Sequence, residues 1–253
     1  MINFIKSLSS RSGRLALAEF AKAGARSISF KNEKDLVTDA DRKIEDFIIS
    51  EIHRKFPGHD IFGEETGKTE KGSEYCWVID PIDGTTSFVH GQPFFSVSIA
   101  LQKKGRTIAG AVNAPKLGEI FWAEKGKGAF CNGRRVHVSR RDKLISSVLC
   151  TGFACLRANL KDNNLPIFNK ILPRLRGVRR YGSAAIDLSY VACGRLEGFW
   201  ELNLKPYDIA AGVLILEEAG GEVCDLRGKK NYPEDGILAT NGRITREFLK
   251  AIK

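Results

Sequence analysis

Four carboxylates sit where a solvated charge is awkward. Glu64 lies in a Gly63-Glu64-Glu65 loop, Asp80 ends an apolar strand-like run, Asp83 falls in the turn after it, and Asp208 stands in the first turn of a largely apolar helix. Taken singly, each has an ordinary explanation. An Asp-Pro-x-Asp-Gly string makes a turn, Asp208 beside Pro206 complements a helix dipole, and Asp41, three residues after Thr38, completes a capping box. Taken together they describe a cation site. The turn holds Asp80 and Asp83 close, and hard oxygen donors without histidine or cysteine suit Mg²⁺ or Mn²⁺. Two carboxylates about 4 Å apart repel by roughly 4 kcal/mol at an effective dielectric near 20. A cluster of four therefore persists only with cations in place or protons restored. Just downstream, Gly84-Thr85-Thr86-Ser87 opens a helix, which leaves backbone N–H donors aimed at an anion such as phosphate. The Thr85 hydroxyl can bridge a carboxylate and a water.

The elements that must carry these groups are legible in outline. A first helix is expected over residues 14–23, and a second, with Ile44, Phe47, Ile48 and Ile52 at helical spacing, stops at Pro57-Gly58. Residues 75–79 read as a buried strand closed by the Asp80–Asp83 turn. Strand-like runs follow at 95–101, 107–113 and 119–123, and Asn132-Gly133 marks a hairpin. The second half alternates: strand at 147–152, helix at 165–172, helix at 183–193 ended by Gly194, strand at 196–201. A helix opened by Pro206 runs to Ala219, followed by strands at 222–224 and 237–239 and a last helix from Ile244. The chain thus divides into an α+β half over residues 1–140 with most of the cation motifs and an α/β half over 141–253 with the last one. No linker separates them, so one continuous core is expected.

Composition narrows the class. At 253 residues with 43% apolar and 28% charged residues, the chain can bury a sizeable core, and disordered or fibrous readings are excluded. No apolar run approaches a membrane span, and the basic, interrupted N-terminus reads as a helix rather than a secretory signal. Six cysteines without C-x-x-C spacing fit reduced thiols and a cytoplasmic protein. Four histidines show no zinc spacing, and no G-x-S-x-G elbow supports a Ser-His hydrolase. The net charge of +10 has one source: between Arg134 and Arg180 there are twelve Lys/Arg against two acids. That stretch serves an anionic substrate, a nucleic acid, or only solvation.

The motifs resemble the inositol monophosphatase family, within the lithium-sensitive, magnesium-dependent sugar and nucleotide phosphatases. The resemblance runs nearly end to end: KDLVTDAD (34–41), Gly63-Glu64-Glu65, WVIDPIDGTTSFVH (77–90), Gly182-Ser183-Ala184, Glu201, and Tyr207-Asp208-Ile209-Ala210-Ala211-Gly212. It implies a layered αβαβα sandwich of the sugar phosphatase type, usually a homodimer. It also implies two or three Mg²⁺, with Mn²⁺ as an alternative. Glu64, Asp80 and the Ile82 carbonyl would hold one ion, Asp80, Asp83 and Asp208 a second, and Glu64 would border a third. Asp41 and Thr85 would orient the attacking water with Glu64 close by, and the Gly84 and Thr85 amides would bind phosphate. Gly182, Ser183, Ala184 and Glu201 would meet substrate hydroxyls, with Asp83 and Asp208 near the ester. Two positions depart from the family pattern: Tyr207 replaces a usual Trp, and Asp39 adds a charge at the mouth. The implied reaction is in-line hydrolysis without a phospho-enzyme, and Asp83→Asn is expected to abolish turnover with the fold intact.

Within that superfamily, Thr-Thr followed by Ser-Phe resembles the inositol branch, and Glu201 suits a polyol. Alternatives are a 3′(2′),5′-bisphosphate nucleotidase, a fructose-1,6-bisphosphatase or a histidinol-phosphatase, with the basic stretch gripping a second phosphate in the bisphosphate cases. A different class is a nucleic-acid or RNA-polymerase binding module acting through residues 134–180, where Arg179-Arg180-Tyr181 joins bases to an aromatic, though no known RNA- or DNA-reading motif accompanies it. A glycosidase has no use for four converging carboxylates, and a two-metal nuclease does not fit a polyol-binding Glu201.

Overall fold

An amphipathic stripe starts the chain: Ile5, Leu8 and Ala16 share one buried face of α1 (Ile2–Ala21). The structure, a computed structural model, describes residues 1–22, 29–32, 35–37 and 39–253. Helix α1 begins twelve residues before the expected start, because Ile5 and Leu8 already continue the apolar stripe while Lys6 lies over the Trp122 ring. Its expected end at Ala23, and the Thr38 cap, lie outside the described residues.

The remaining elements of the first half are β1 (Ser29–Asn32), β2 (Asp35–Val37), α2 (Asp39–Lys55), β3 (Asp60–Gly63), β4 (Gly67–Thr69), β5 (Tyr75–Asp83), α3 (Thr85–Val89), β6 (Ser96–Lys103), β7 (Arg106–Ala114), β8 (Glu119–Glu124), β9 (Ala129–Cys131) and β10 (Arg134–Val136). In the second half come β11 (Val148–Thr151), α4 (Ala154–Arg157), α5 (Leu165–Ile171), β12 (Gly177–Arg179), α6 (Ala184–Ala192), β13 (Gly198–Glu201), α7 (Pro206–Glu218), β14 (Glu222–Cys224), β15 (Ile237–Thr240) and α8 (Thr245–Ile252).

These build five layers. An eight-stranded sheet runs β10-β9-β8-β7-β6-β5-β3-β4, antiparallel except where β3 lies parallel to β5. A five-stranded sheet runs β12-β11-β13-β15-β14. Helices α1 and α2 cover one face of the large sheet, burying Ile44, Ile48 and Ile52 against Trp77 and Ile79. Helices α6 and α7 fill the space between the sheets, and α5 and α8 close the far side with Ile171, Trp200 and Phe248. The layering is the expected αβαβα sandwich. The central cluster joins Val78, Ala100 and Phe121 to Leu188, Ile215 and Ile237, residues from both halves of the sequence. Among the described residues, no helix is long and apolar enough to cross a membrane.

Two local differences bear on function. The Asp80–Asp83 segment does not close β5; the strand continues through it to Asp83, pairing with β6 across a shift in register between Asp80 and Asp83. Proline removes one N–H from the ladder, and a bulge absorbs the lost pairing without ending the strand. Strand β12 escaped the sequence pattern because Gly177-Val178-Arg179 has no alternation to read. Its placement explains part of the charge concentration: outer strand β12 carries Arg179, and the outer strand β10 of the large sheet carries Arg134 and Arg135. Other bases of the stretch have local uses. Arg141 pairs with buried Glu197 at 3.0 Å, and the Lys170 ammonium donates to the Ile252 and Lys253 carbonyls.

Candidate active site

Alternation along β5 sends Trp77 and Ile79 toward α1 and α2 and Val78 toward α6 and α7. Asp80, two residues after Val78, shares that second direction. There it meets the start of α7, which Pro206 opens at its first positions with Asp208 in the first turn. The Lys205 N–H donates to Asp208 Oδ2 at 2.5 Å, which orients that carboxylate. Glu64 comes from the turn between β3 and β4. One cleft of about 240 Å³ is lined by Glu64, Asp80, Ile82, Asp83, Gly84, Thr85, Gly182, Ala184, Glu201 and Asp208.

Two expected site residues stand behind this wall. Asp41, almost wholly buried in the first turn of α2, lies 3.5 Å from the Thr85 hydroxyl, which donates to the Ile82 carbonyl at 3.1 Å. Ser183 is buried too: its hydroxyl donates to Asp83 Oδ2 at 2.6 Å and accepts from the Ile186 N–H, so it caps α6 instead of facing the cleft.

Gly84 shows why the turn needs its residue type. It has φ +97, and a Cβ there would stand 2.7 Å from the Phe94 carbonyl oxygen. That conformation starts α3 at Thr85 and leaves the first N–H groups of the helix beside the carboxylates.

The four carboxylates differ in their surroundings. Asp83 is well supplied: the Ala184 N–H (3.2 Å), the Ala185 N–H (2.7 Å) and the Ser183 and Ser96 hydroxyls all donate to it. Burial nevertheless pushes its pKa up to about 6, those donors opposing the rise. Asp80 is buried, and its Oδ1 has no hydrogen-bond partner among the described residues. Burial, then the charges of Glu64, Asp83 and Asp208, drive its pKa well above the carboxylate range. Asp208 is raised in the same way, by burial and then Asp83.

An unpartnered buried oxygen, all-oxygen donors and mutual repulsion are what a hard dication relieves. Among the described residues, no three acidic, histidine or cysteine side chains already stand as a completed ligand set. The donors fit such an ion by their type, by the unpartnered Asp80 oxygen and by their mutual repulsion, although their present spacing is not that of a ligand set.

Glu201, at the end of β13, forms the opposite wall. It occupies the space that a side chain at Gly152 would need, accepts the Ala154 N–H at 3.0 Å, and has its pKa raised by burial to about 7. Sequence reasoning missed three neighbours. Asp187 is buried in α6 with Oδ1 unpartnered among the described residues, and burial followed by the Glu201 charge drives its pKa well up. A lone acid in the apolar run Ala-Ala-Ile-Asp-Leu was the available signal. Arg157 and Arg180 also line the cleft. In the sequence both belong to the basic stretch, with Arg180 beside Tyr181, and nothing in their spacing aims them into the cleft.

Five alternating layers enclosing an acidic, oxygen-lined cleft beside a helix N-terminus define a phosphoric monoester hydrolase of the layered type, and sequence comparison bears this out. The model of the inositol monophosphatase family matches residues 1–253, and the chain belongs to that family. It is 41% identical to an inositol-1-monophosphatase of Mesorhizobium japonicum, over all of this chain and 96% of the relative. It is 40% identical to the Nus factor SuhB of Pseudomonas aeruginosa with the same two coverages. The structure of an inositol monophosphatase from Anabaena (Nostoc) sp. superposes with a TM-score of 0.89 at 38% identity, covering 99% of this chain and 94% of that one.

Proposed function

We propose that the enzyme hydrolyses a phosphate monoester of inositol or a related polyol, using Mg²⁺ and a water, with no phospho-enzyme. The observation that carries this reading is the convergence of Glu64, Asp80, Asp83 and Asp208 with the α3 N-terminus in one cleft. Glu64, Asp80, the Ile82 carbonyl, Asp83 and Asp208 would hold the ions, whose charge would acidify the attacking water and stabilise the leaving alkoxide. Thr85, backed by Asp41, would hold that water by its hydroxyl, and the Gly84 and Thr85 amides would take the phosphate oxygens. Glu201 and the Gly182–Ala184 backbone would receive substrate hydroxyls, and Ser183 would act through Asp83.

The name of the Mesorhizobium relative supports inositol 1-phosphate as first substrate. The same reading takes residues 1–140 and 141–253 as one fused unit, since the cleft draws ligands from both. It also takes the protein as cytoplasmic, with six free thiols, homodimeric and lithium-sensitive.

The test is phosphate release from myo-inositol 1-phosphate, fructose 1,6-bisphosphate, 3′-phosphoadenosine 5′-phosphate and histidinol phosphate. Release should require Mg²⁺, stop with EDTA and fall at least about a hundredfold in Asp80→Asn. Undiminished turnover in that variant at saturating Mg²⁺ would overturn the assignment.

The name Nus factor SuhB favours a second reading, binding to nucleic acid or the transcription machinery through residues 134–180. RNA retention by this protein that weakens steeply with salt would support it, and no retention would remove it.

A further inference from the structure

Behind the cleft, α2 carries two buried carboxylates one helical turn apart on the same face, Asp41 and Glu45. Asp41 stands behind Thr85. Glu45 reaches a different part of the wall. It is fully buried, its Oε2 accepts the Glu65 N–H at 3.1 Å, and its Oε1 accepts the Thr66 N–H at 2.7 Å. The turn between β3 and β4 thus wraps its backbone around one carboxylate. Gly63 permits the wrapping, since a Cβ there would stand 2.5 Å from Glu45 Oε1 and 2.7 Å from the Thr66 hydroxyl oxygen. The Glu64 N–H is tied on the other side, to the Ile79 carbonyl at 3.2 Å, one residue before Asp80. Three successive N–H groups, from Glu64 to Thr66, are therefore taken by fixed partners. The Glu64 side chain is left to the cleft, where it shares a hydrogen bond with Asp80.

We propose that Glu45 is a positioning residue for the cation site: by holding the Glu65 and Thr66 N–H groups it sets where the Glu64 carboxylate stands, and so how tightly the cleft binds a divalent ion. This rests on the phosphatase reading above and names a residue that serves it without touching ion or substrate. A ligating oxygen must be held within about 0.5 Å of its productive place, and a short surface turn does not hold itself to that tolerance. A carboxylate gripping two adjacent N–H groups makes charge-assisted hydrogen bonds, which are shorter and stronger than those between neutral groups. Helix α2 supplies the rigidity, because Ile44 and Ile48 beside Glu45 lock it against Trp77 and Ile79 of β5. One helix thereby braces the water-orienting side of the cleft through Asp41 and the cation-holding side through Glu45.

The experiment measures Mn²⁺ binding by titration calorimetry without substrate, alongside the Mg²⁺ concentration that half-activates phosphate release from myo-inositol 1-phosphate. Removing the partner behind a metal ligand typically weakens ion binding by about ten- to a hundredfold. Glu45→Ala should show a loss of that size in Mn²⁺ affinity and a matching rise in the Mg²⁺ requirement, while kcat at saturating Mg²⁺ stays within about threefold of wild type. Glu45→Gln keeps one accepting oxygen and should lose less, and it carries the test if Glu45→Ala does not fold. Ile171→Ala, a buried change in the far layer, controls for lost stability alone and should leave Mn²⁺ affinity unchanged. Mn²⁺ affinity within about twofold of wild type in whichever Glu45 variant folds, or an equal loss in Ile171→Ala, would overturn the role. A wild type that neither binds Mn²⁺ nor releases phosphate would instead overturn the phosphatase reading, and the role with it.

Discussion

Neighbouring carboxylates in one site respond differently to the same change. Asp83 accepts from Ser183, Ala184, Ala185 and Ser96, so it anchors the start of α6 as well as facing the cleft. Replacement by Asn puts an NH₂ group against donors, and Asp83→Asn should lose turnover and about 1–3 kcal/mol of stability as well. The fold is expected to stay intact in this variant but to be less stable, since Asp83 also anchors α6. Asp80 has one unpartnered oxygen, a hydrogen bond with Glu64 and, in Glu64, Asp83 and Asp208, acidic neighbours that oppose its charge. Asp80→Asn should therefore lose activity and gain stability in the metal-free protein, by about 2–4 °C in melting temperature for each kcal/mol of repulsion relieved. Thermal melting of both variants in EDTA checks the opposite signs. Most of these acids could be read from residue type and spacing alone. Asp187 left only the weak signal of one acid in an apolar run, and Arg157 and Arg180 left none that points into the cleft, because it is the tertiary fold that brings them beside Glu201.

Helix α7 fixes Asp208, and its seat is set by close approach. A Cβ at Gly212 would stand 2.7 Å from Leu188 Cδ1 on α6, so the two central helices pack closer than any side chain there allows. Gly212→Ala should cost about 1–3 kcal/mol through overpacking and weaken Mg²⁺ activation by tilting the first turn that presents Asp208. A melting curve and a Mg²⁺ titration of activity together test this. Helices and long strands were legible where an apolar period ran for several turns, as in α2, β6, β7 and α7. Short pieces such as β4, α4 and β12 carry no such period and are set by their neighbours. The Asp-Pro-Ile-Asp segment misled for a related reason: turn-forming residues ordinarily end a strand, but here pairing with β6 carries it through.

Across the whole molecule, the buried acids make the protein's response to pH a report on its ions. Asp83 and Glu201 are raised to about 6 and about 7, and Asp80, Asp208 and Asp187 well above the ordinary range. In the unfolded chain such groups ionise near pH 4, so between that pH and their folded values the native state holds more protons. The contribution of these acids to metal-free stability therefore falls as pH rises from about 4, with the part due to Glu201 complete above about pH 7 and worth about 3 kcal/mol, enough to outweigh the smaller opposite effect of His53 and His59, whose pKa values burial lowers. Mg²⁺ or Mn²⁺ should flatten that slope and raise the melting point most at pH 8, since ions bind the folded, ionised cluster. A melting point that climbs from pH 5 to 8 in EDTA, or that ignores Mg²⁺ at pH 8, would contradict this picture. A last consequence follows from the arginines on the outer strands β10 and β12. Copies meeting rim to rim are pushed apart by their own cations before backbone groups can pair. These three arginines thereby act as colloidal protection, a defence that brine would weaken.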